Sequence, residues 1–472
     1  MTLAASSSFP SKDPNASRYA LNCIRVLTRI LPFLYEKPMS MQECILILWS
    51  NVLQPDIGPA SPELGGMASP TSAGDHADLR REKPYLGEEL LDTLVQLLFF
   101  VGFTLPRPNQ NISVEPRVKC TTWEKGVGCT VAPSSTSQID SNRAEILRLL
   151  HTLCSTPLYS RPAEVLDASN HALDYLVSSL DKQETLTILC SFINTALRPL
   201  PSLGIPYEQM LFKRSGDVLK HHVLQLLPIL LLRQPPDQVA KNQFRYYLSR
   251  IHKDADLKYL CQSLQQELQA SLSPTNSLNP FQSRVFHPVP IELLSLFLEI
   301  WQSVKRFRHH CCDNVLSHAF LNIFFAIAED YDSVSKQSTS QLACLCIQAM
   351  TAEPLTSGII NQRLESSQYH TIGNLLVTRI CGIVVRCNNK LDPIIPPLLA
   401  SIYNVAPLIT DLTASSCMLL LKIFDSVSSP SFLLSNELHR HLLISLLESF
   451  NIIVDYGKTG TWASEGVIQS SY

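Results

Sequence analysis

The sequence predicts an all-α protein, an armadillo- or HEAT-like helical solenoid with degenerate repeats. Three observations predict it. Apolar residues recur at steps of three and four along almost the whole chain, glycine is scarce at 16 of 472 residues, and no alternating period-two run with an Asn-Gly or Asp-Gly turn competes. Few glycines leave few positions for φ > 0, hence few tight hairpins and no Gly-rich phosphate loop.

The elements follow in chain order. Residues 1–16 are Ser/Pro-rich and read as a disordered N-terminus; a helical array is predicted over 17–457. Tyr19, Cys23, Val26, Leu27, Ile30, Leu31 and Leu34 form the stripe of the first helix, with Ser17 as cap and Pro32 kinking its last turn. A second helix carries Met41, Cys44, Ile45, Leu48, Trp49 and Val52. Residues 54–84 turn to Gly, Pro, Ser and Ala and read as a flexible insertion. Helix resumes over Leu86 to Thr104, and 106–139 is an irregular, partly ordered loop around Trp123, Val127 and Val131.

From Asp140 the pattern is helix, short break, helix. Helices are predicted over 141–155, 162–181, 183–198, 215–232, 236–251 and 254–272. After a second flexible insertion at 273–288 come 291–308, 311–330, 337–352, 367–388, 393–405, 408–428 and 432–456. Pro290 and Pro393 sit where a first helical turn tolerates proline. Residues 458–472 read as a disordered C-terminus. Serial helices with short links imply antiparallel neighbours, stacked as a solenoid or as a set of bundles.

Composition narrows the function classes. The length exceeds the ~250–300 residues at which one core stops growing. Charged residues make up 17%, below the usual ~25%, so partner contact is expected to replace some solvation. The 38 basic and 41 acidic residues give −3, with no electrostatic footprint for nucleic acid and no basic membrane patch. Fourteen scattered cysteines behind no secretory signal predict a reduced cytosolic chain with buried thiols. The densest apolar run, Val223 to Leu232, contains Gln225 and Pro228 and is too short to span a bilayer.

No GxxxxGK[ST], GxSxG, HExxH or GxGxxG motif is present, and no cofactor is expected. His309-His310-Cys311-Cys312, with His318 nearby, is the most metal-like cluster. Adjacent residues on a helix point about 100° apart, so the four cannot converge on one tetrahedral ion. No metal site is predicted; a metal-dependent enzyme around His309–Cys312 is the weakest of the function readings. Cys120 and Cys129 make half a site, and Cys344 and Cys346 diverge on one helix.

Three polar-aromatic blocks are the candidate partner-binding sites. "TWEKGVG" at 122–128 sets Trp123 beside Gly126 and Gly128, a ring that can anchor a loop and glycines that allow close backbone approach. "GIPYEQMLF" at 204–212 offers Tyr207, and "YLSRIHKD" at 247–254 offers Arg250 and His252. Interhelical packing is the competing role for all three.

These blocks, with "NCIRVLTRILPFLYE" (22–36), "NRAEILRLL" (142–150), "NVAPLITDLTASSCMLLLKIFDS" (404–426) and "HLLISLLESFN" (441–451), resemble the family of high-temperature-induced dauer formation protein 1, related to dymeclin. The resemblance covers about residues 20–457, in the family's order. It implies a helical protein held peripherally on Golgi membranes from the cytosol. Its role would be vesicle-mediated transport and protein sorting, with other proteins of the trafficking machinery as partners and no catalytic residues to carry over. The family's animal members begin Met-Gly and are myristoylated; here Thr2 follows Met1, so membrane contact is expected to be indirect. Family members also continue past the last matched block, so a chain lacking both flanks is expected. The leading function is a non-enzymatic scaffold or adaptor at the Golgi face; the alternative is a soluble regulatory subunit of a partner enzyme.

Overall fold

The computed structural model describes residues 15–50, 84–107, 121–165, 168–199, 215–235, 241–272, 290–313, 316–331, 334–364, 370–387, 393–410 and 412–459. Among them the regular elements are helices, with three isolated bridges and no strand. The chain divides into two compact units: one of residues 1–121, 133–185 and 233–243, the other of 122–132, 186–232 and 244–472.

In the first unit, α1 (Ala16–Tyr35) lays Ile24, Leu31 and Tyr35 against the core and packs on α4 (Ser137–Leu153). α2 (Pro38–Trp49) opens on a proline, which the first turn accepts because its N–H would lack an intrahelical partner anyway. α3 (Leu86–Leu98) starts with a capping box, the Tyr85 N–H donating to Glu88 Oε2 at 3.1 Å. Thr136 caps α4, its hydroxyl accepting from the Ile139 N–H. α5 (His171–Ser178) is capped by Asn170, which also donates from Nδ2 to the Cys154 carbonyl at 2.8 Å. Arg233 reaches the α5 carboxylate Asp174 through two hydrogen bonds of 2.7 and 2.9 Å.

The second unit takes α6 (Lys182–Ala196) from Leu186 onward, then α7 (Ser215–Leu232), α8 (Gln243–Leu248) and α9 (Asp254–Leu272). It continues with α10 (Pro290–Ser303), α11 (Lys305–Asp313), α12 (Leu316–Ala328), α13 (Val334–Thr351) and α14 (Ser357–Ile360). α15 (Ile372–Cys387), α16 (Ile395–Val405), α17 (Ala414–Val427), α18 (Pro430–Leu433) and α19 (His439–Thr459) complete it. Two rows emerge from the packing. One runs α9, α12, α15, α17; the other runs α7, α10, α13, α16, α19, each helix on the next. Cross-packing of α9 on α10, α12 on α13, α15 on α16 and α17 on α19 makes these two-helix units of a solenoid. Between the rows sits an aromatic cluster, with Phe297 4.7 Å from Phe324, 5.0 Å from Phe320 and 5.6 Å from Trp301.

Several predicted boundaries are corrected. Residues 162–165 form turns and α5 starts only at His171, because Asn170 spends its side chain on capping. α3 stops at Leu98: Thr104 Oγ1 donates to the Leu97 carbonyl at 2.6 Å and accepts from the Phe100 N–H, and Gly102 turns the chain at φ 84°. The helix predicted over 236–251 is helical only over Gln243–Leu248 among described residues. The helix predicted over 291–308 breaks at Val304, between α10 and α11. The helix predicted over 408–428 begins at Ala414, where Thr413 caps it. Asn15 occupies the N-cap position of α1, with Ser17 inside the helix, and Pro396, not Pro393, occupies the first turn of α16. The expectations for 1–14, 54–83, 273–288 and 460–472 lie outside the described residues.

Candidate functional site

The site is built around α6, which carries polar side chains where a core helix usually carries apolar ones. Thr187, Ser191, Asn194 and Thr195 are buried, and Arg198 follows at the same spacing. A buried polar group needs a hydrogen-bond partner, and here the loop 122–132 supplies most of them. Trp123 is fully buried, its ring 5.5 Å from Phe192, and its backbone N–H donates to Ser191 Oγ at 3.2 Å. Asn194 reads the loop backbone: Oδ1 accepts from the Val127 N–H at 2.7 Å, while Nδ2 donates to the Glu124 carbonyl at 3.0 Å and the Val127 carbonyl at 3.2 Å.

The two glycines make that approach feasible. Gly126 and Cys129 exchange backbone hydrogen bonds of 2.8 and 3.2 Å, closing a tight turn. At Gly126, with φ 149°, a Cβ would lie 2.5 Å from Asn194 Oδ1 and 2.7 Å from Tyr259 Cζ. Gly128, at φ 68°, donates its N–H to Asp256 Oδ1 at 3.2 Å, in the first turn of α9. Outward from this clamp point Lys125, Gly128, Thr130 and Val131, the last 84% exposed.

Below the loop lies a chain of charges. Glu124 pairs with Arg198, whose Nη2 donates to the Gly216 carbonyl at 3.2 Å. The Arg198 carbonyl accepts from Lys220 Nζ at 2.7 Å, and Lys220 Nζ lies 2.6 Å from Glu267 Oε2 in a buried pair. Burial pushes the Lys220 ammonium below the usual lysine range, against the pull of Glu267. Burial likewise pushes the Tyr259 hydroxyl up to about 12. The network ties the loop to α6, α7 and α9 through side chains that polarise one another.

The other candidates are placed differently. Arg250 and His252 are exposed on the link between α8 and α9. The Arg250 guanidinium sits 5.0 Å from the Tyr246 ring centroid and donates to the Tyr246 hydroxyl at 3.1 Å. His252 Nδ1 lies 2.8 Å from the Arg250 carbonyl, and Arg306 donates to the His252 carbonyl at 3.2 Å. Tyr207 lies outside the described residues. Trp123, Gly126 and Gly128 share one loop, and Gly128 reaches Asp256 of α9, the helix that Arg250 and His252 precede.

In the His309–Cys312 stretch, Cys311 and Cys312 are buried, with Cys311 Sγ 3.3 Å from Cys261 Sγ. Among the described residues no three His, Cys, Asp or Glu side chains are placed to share a metal ion. No single helix among them is long and apolar enough to cross a membrane.

Asn194, Ser191, Arg198, Lys220 and Glu267 were not among the predicted site residues. The available signal was the polar stripe Ser191, Asn194, Arg198 at helical spacing inside an apolar pattern.

The profile of the family described as Hid1, high-temperature-induced dauer-formation protein, matches residues 1–461. The Ubp5-interacting protein ftp105 of Schizosaccharomyces pombe is 28% identical over 95% of this chain and 56% of its own length. Protein HID1 of Homo sapiens is 26% identical over 92% of this chain and 57% of its own. Protein HID1 of Dictyostelium discoideum is 22% identical over 79% of this chain and 45% of its own. The chain thus spans about half the length of the curated relatives it matches. No solved structure matches it.

Proposed function

The chain belongs to the family of high-temperature-induced dauer-formation proteins, and from that premise we propose that it is a non-enzymatic scaffold or adaptor. It acts at the cytosolic face of the Golgi, in vesicle trafficking or protein sorting. The observation that carries the reading is the clamped loop: a surface segment held by seven backbone hydrogen bonds from side chains and turn, over a buried polar network. Such rigidity lowers the ordering cost of binding and suits recognition. Lys125, Thr130 and Val131, with Arg250 and His252, are its proposed contact residues; Trp123, Gly126 and Gly128 act by fixing the loop. The Golgi location rests on the family resemblance. Proximity labelling from the tagged chain, with Lys125→Glu/Val131→Asp as comparison, is the test. Golgi-surface proteins enriched by the parent and lost by the variant are expected; a diffuse chain with no such neighbours refutes the reading.

The second reading is a soluble regulatory subunit. It is favoured by the name of the fission-yeast relative, which records an interaction with another protein. Stoichiometric recovery of an enzyme whose rate changes on removing this chain would support it over the scaffold.

A further inference from the structure

α1 has two apolar faces, and the first unit uses one. Ile24, Leu31 and Tyr35 are buried against the core. Tyr19, Cys23, Val26, Ile30 and Phe33 are exposed, Tyr19 by 60% and Phe33 by 71%. Their spacing is four, three, four, three, the a/d repeat of a helix-pairing seam. At about 100° per residue these five fall in a sector about 80° wide, centred about 140° from the buried stripe.

Charge is arranged beside the seam on one flank only. Arg18, Arg25 and Arg29 are exposed and project within about 40° of one another. Arg25 also lies 3.6 Å from Glu145 of α4. α1 contains no Asp or Glu. The opposite flank, Leu27 and Leu34, is half-buried.

We propose that the outward face of α1 is a docking seam for an acidic amphipathic helix of a partner protein. Such a helix would set apolar residues at three-four spacing against the seam and carboxylates along its edge against the arginines. A second copy of α1 would bring arginines against arginines if antiparallel, and arginines against the half-buried Leu27 and Leu34 flank if parallel. A lipid surface suits a wider apolar sector with cationic residues on both borders. The narrow seam and one-sided charge fit the acidic helix better than either. The inference is independent of the Golgi reading, since its test measures binding alone.

The test uses the full chain and two synthetic peptides of about three heptads, each with Leu at a and d and either Glu or Lys at e and g. Fluorescence anisotropy should show tighter binding of the Glu peptide by the parent. Phe33→Asp, an exposed position whose melting curve should match the parent, should weaken it at least tenfold. Arg18→Glu/Arg29→Glu should reverse the preference toward the Lys peptide. Absence of binding, equal binding of both peptides, or insensitivity to Phe33→Asp would overturn the proposal. So would self-association in sedimentation, or flotation with phosphatidylserine vesicles, that Phe33→Asp abolishes.

Discussion

Asn194 grips both polar groups of Val127: the Val127 N–H donates to Oδ1 at 2.7 Å, and Nδ2 donates to the Val127 carbonyl at 3.2 Å. An amide side chain here takes the place of a neighbouring strand, and an irregular loop has its backbone satisfied without a sheet. Removing it leaves a buried N–H without an acceptor, a loss of about 1–3 kcal/mol for each such group. Asn194→Ala should therefore lower the urea midpoint by the equivalent of about 3 kcal/mol. An unchanged midpoint would show that water replaces the amide at no cost.

The two glycines of the loop should differ in sensitivity. Gly128→Ala meets Cys190 Sγ at 3.3 Å and a left-handed backbone, a cost of about 1–2 kcal/mol. Gly126→Ala adds a clash with Asn194 and Tyr259 in a region almost confined to glycine, so its cost should exceed about 3 kcal/mol. Paired thermal melts of the two variants measure the order. Equal losses would mean that the loop moves away from α6 when crowded.

Trp123→Ala removes a fully buried ring packed on Phe192. The expected loss is about 3–5 kcal/mol, read as a drop in denaturant midpoint. Native-state proteolysis should at the same time cut at Lys125, because the loop loses its anchor. A variant that melts like the parent and resists trypsin would place the anchoring elsewhere in the loop.

Lys220 and Glu267 are buried together, and breaking the pair should cost more than replacing it. Glu267→Gln leaves Lys220 buried without its counter-charge, worth about 3–5 kcal/mol, whereas Lys220→Met/Glu267→Leu should lose far less. The pH dependence has a definite sign. Burial lowers the Lys220 pKa in the folded chain, so between that value and the ordinary lysine value the unfolded chain binds more protons. This group's contribution to stability therefore rises with pH across that alkaline window. Urea titrations of parent and Lys220→Met at several alkaline pH values should show their gap widening upward; a narrowing gap contradicts the assignment.

The fold was legible where packing follows local pattern. The apolar stripe of α9 marks its helix because Leu257, Leu260, Cys261, Leu264 and Leu268 bury one continuous face. Breaks made by tertiary contacts were not legible: Asn170 ends a predicted helix by capping α5 and holding the Cys154 carbonyl, 16 residues away. At the site, Trp123 and its glycines announce a strained, anchored loop by composition alone. Their receptor does not, since Asn194 lies 67 residues from Val127 and an asparagine in a helix carries no mark of what it will hold. The single stripe named for α1 takes in both of its faces, with Tyr19, Val26 and Ile30 exposed and Leu31 buried, because periodicity reports apolar spacing and not which side the fold covers.

Residues 122–132 belong to the second unit although the sequence on either side belongs to the first. Synthesis runs from the N-terminus, so this segment leaves the ribosome before anything exists to receive it. Asp256, which takes the Gly128 N–H, is made 128 residues later. At about 5–20 residues per second the delay is on the order of ten seconds. Until α6 follows, the Trp123 side chain lacks the Phe192 ring it packs on and is an apolar group open to holdase chaperones. The second unit then closes around a piece of polypeptide delivered in advance, so its assembly is timed by translation as well as by its own collapse.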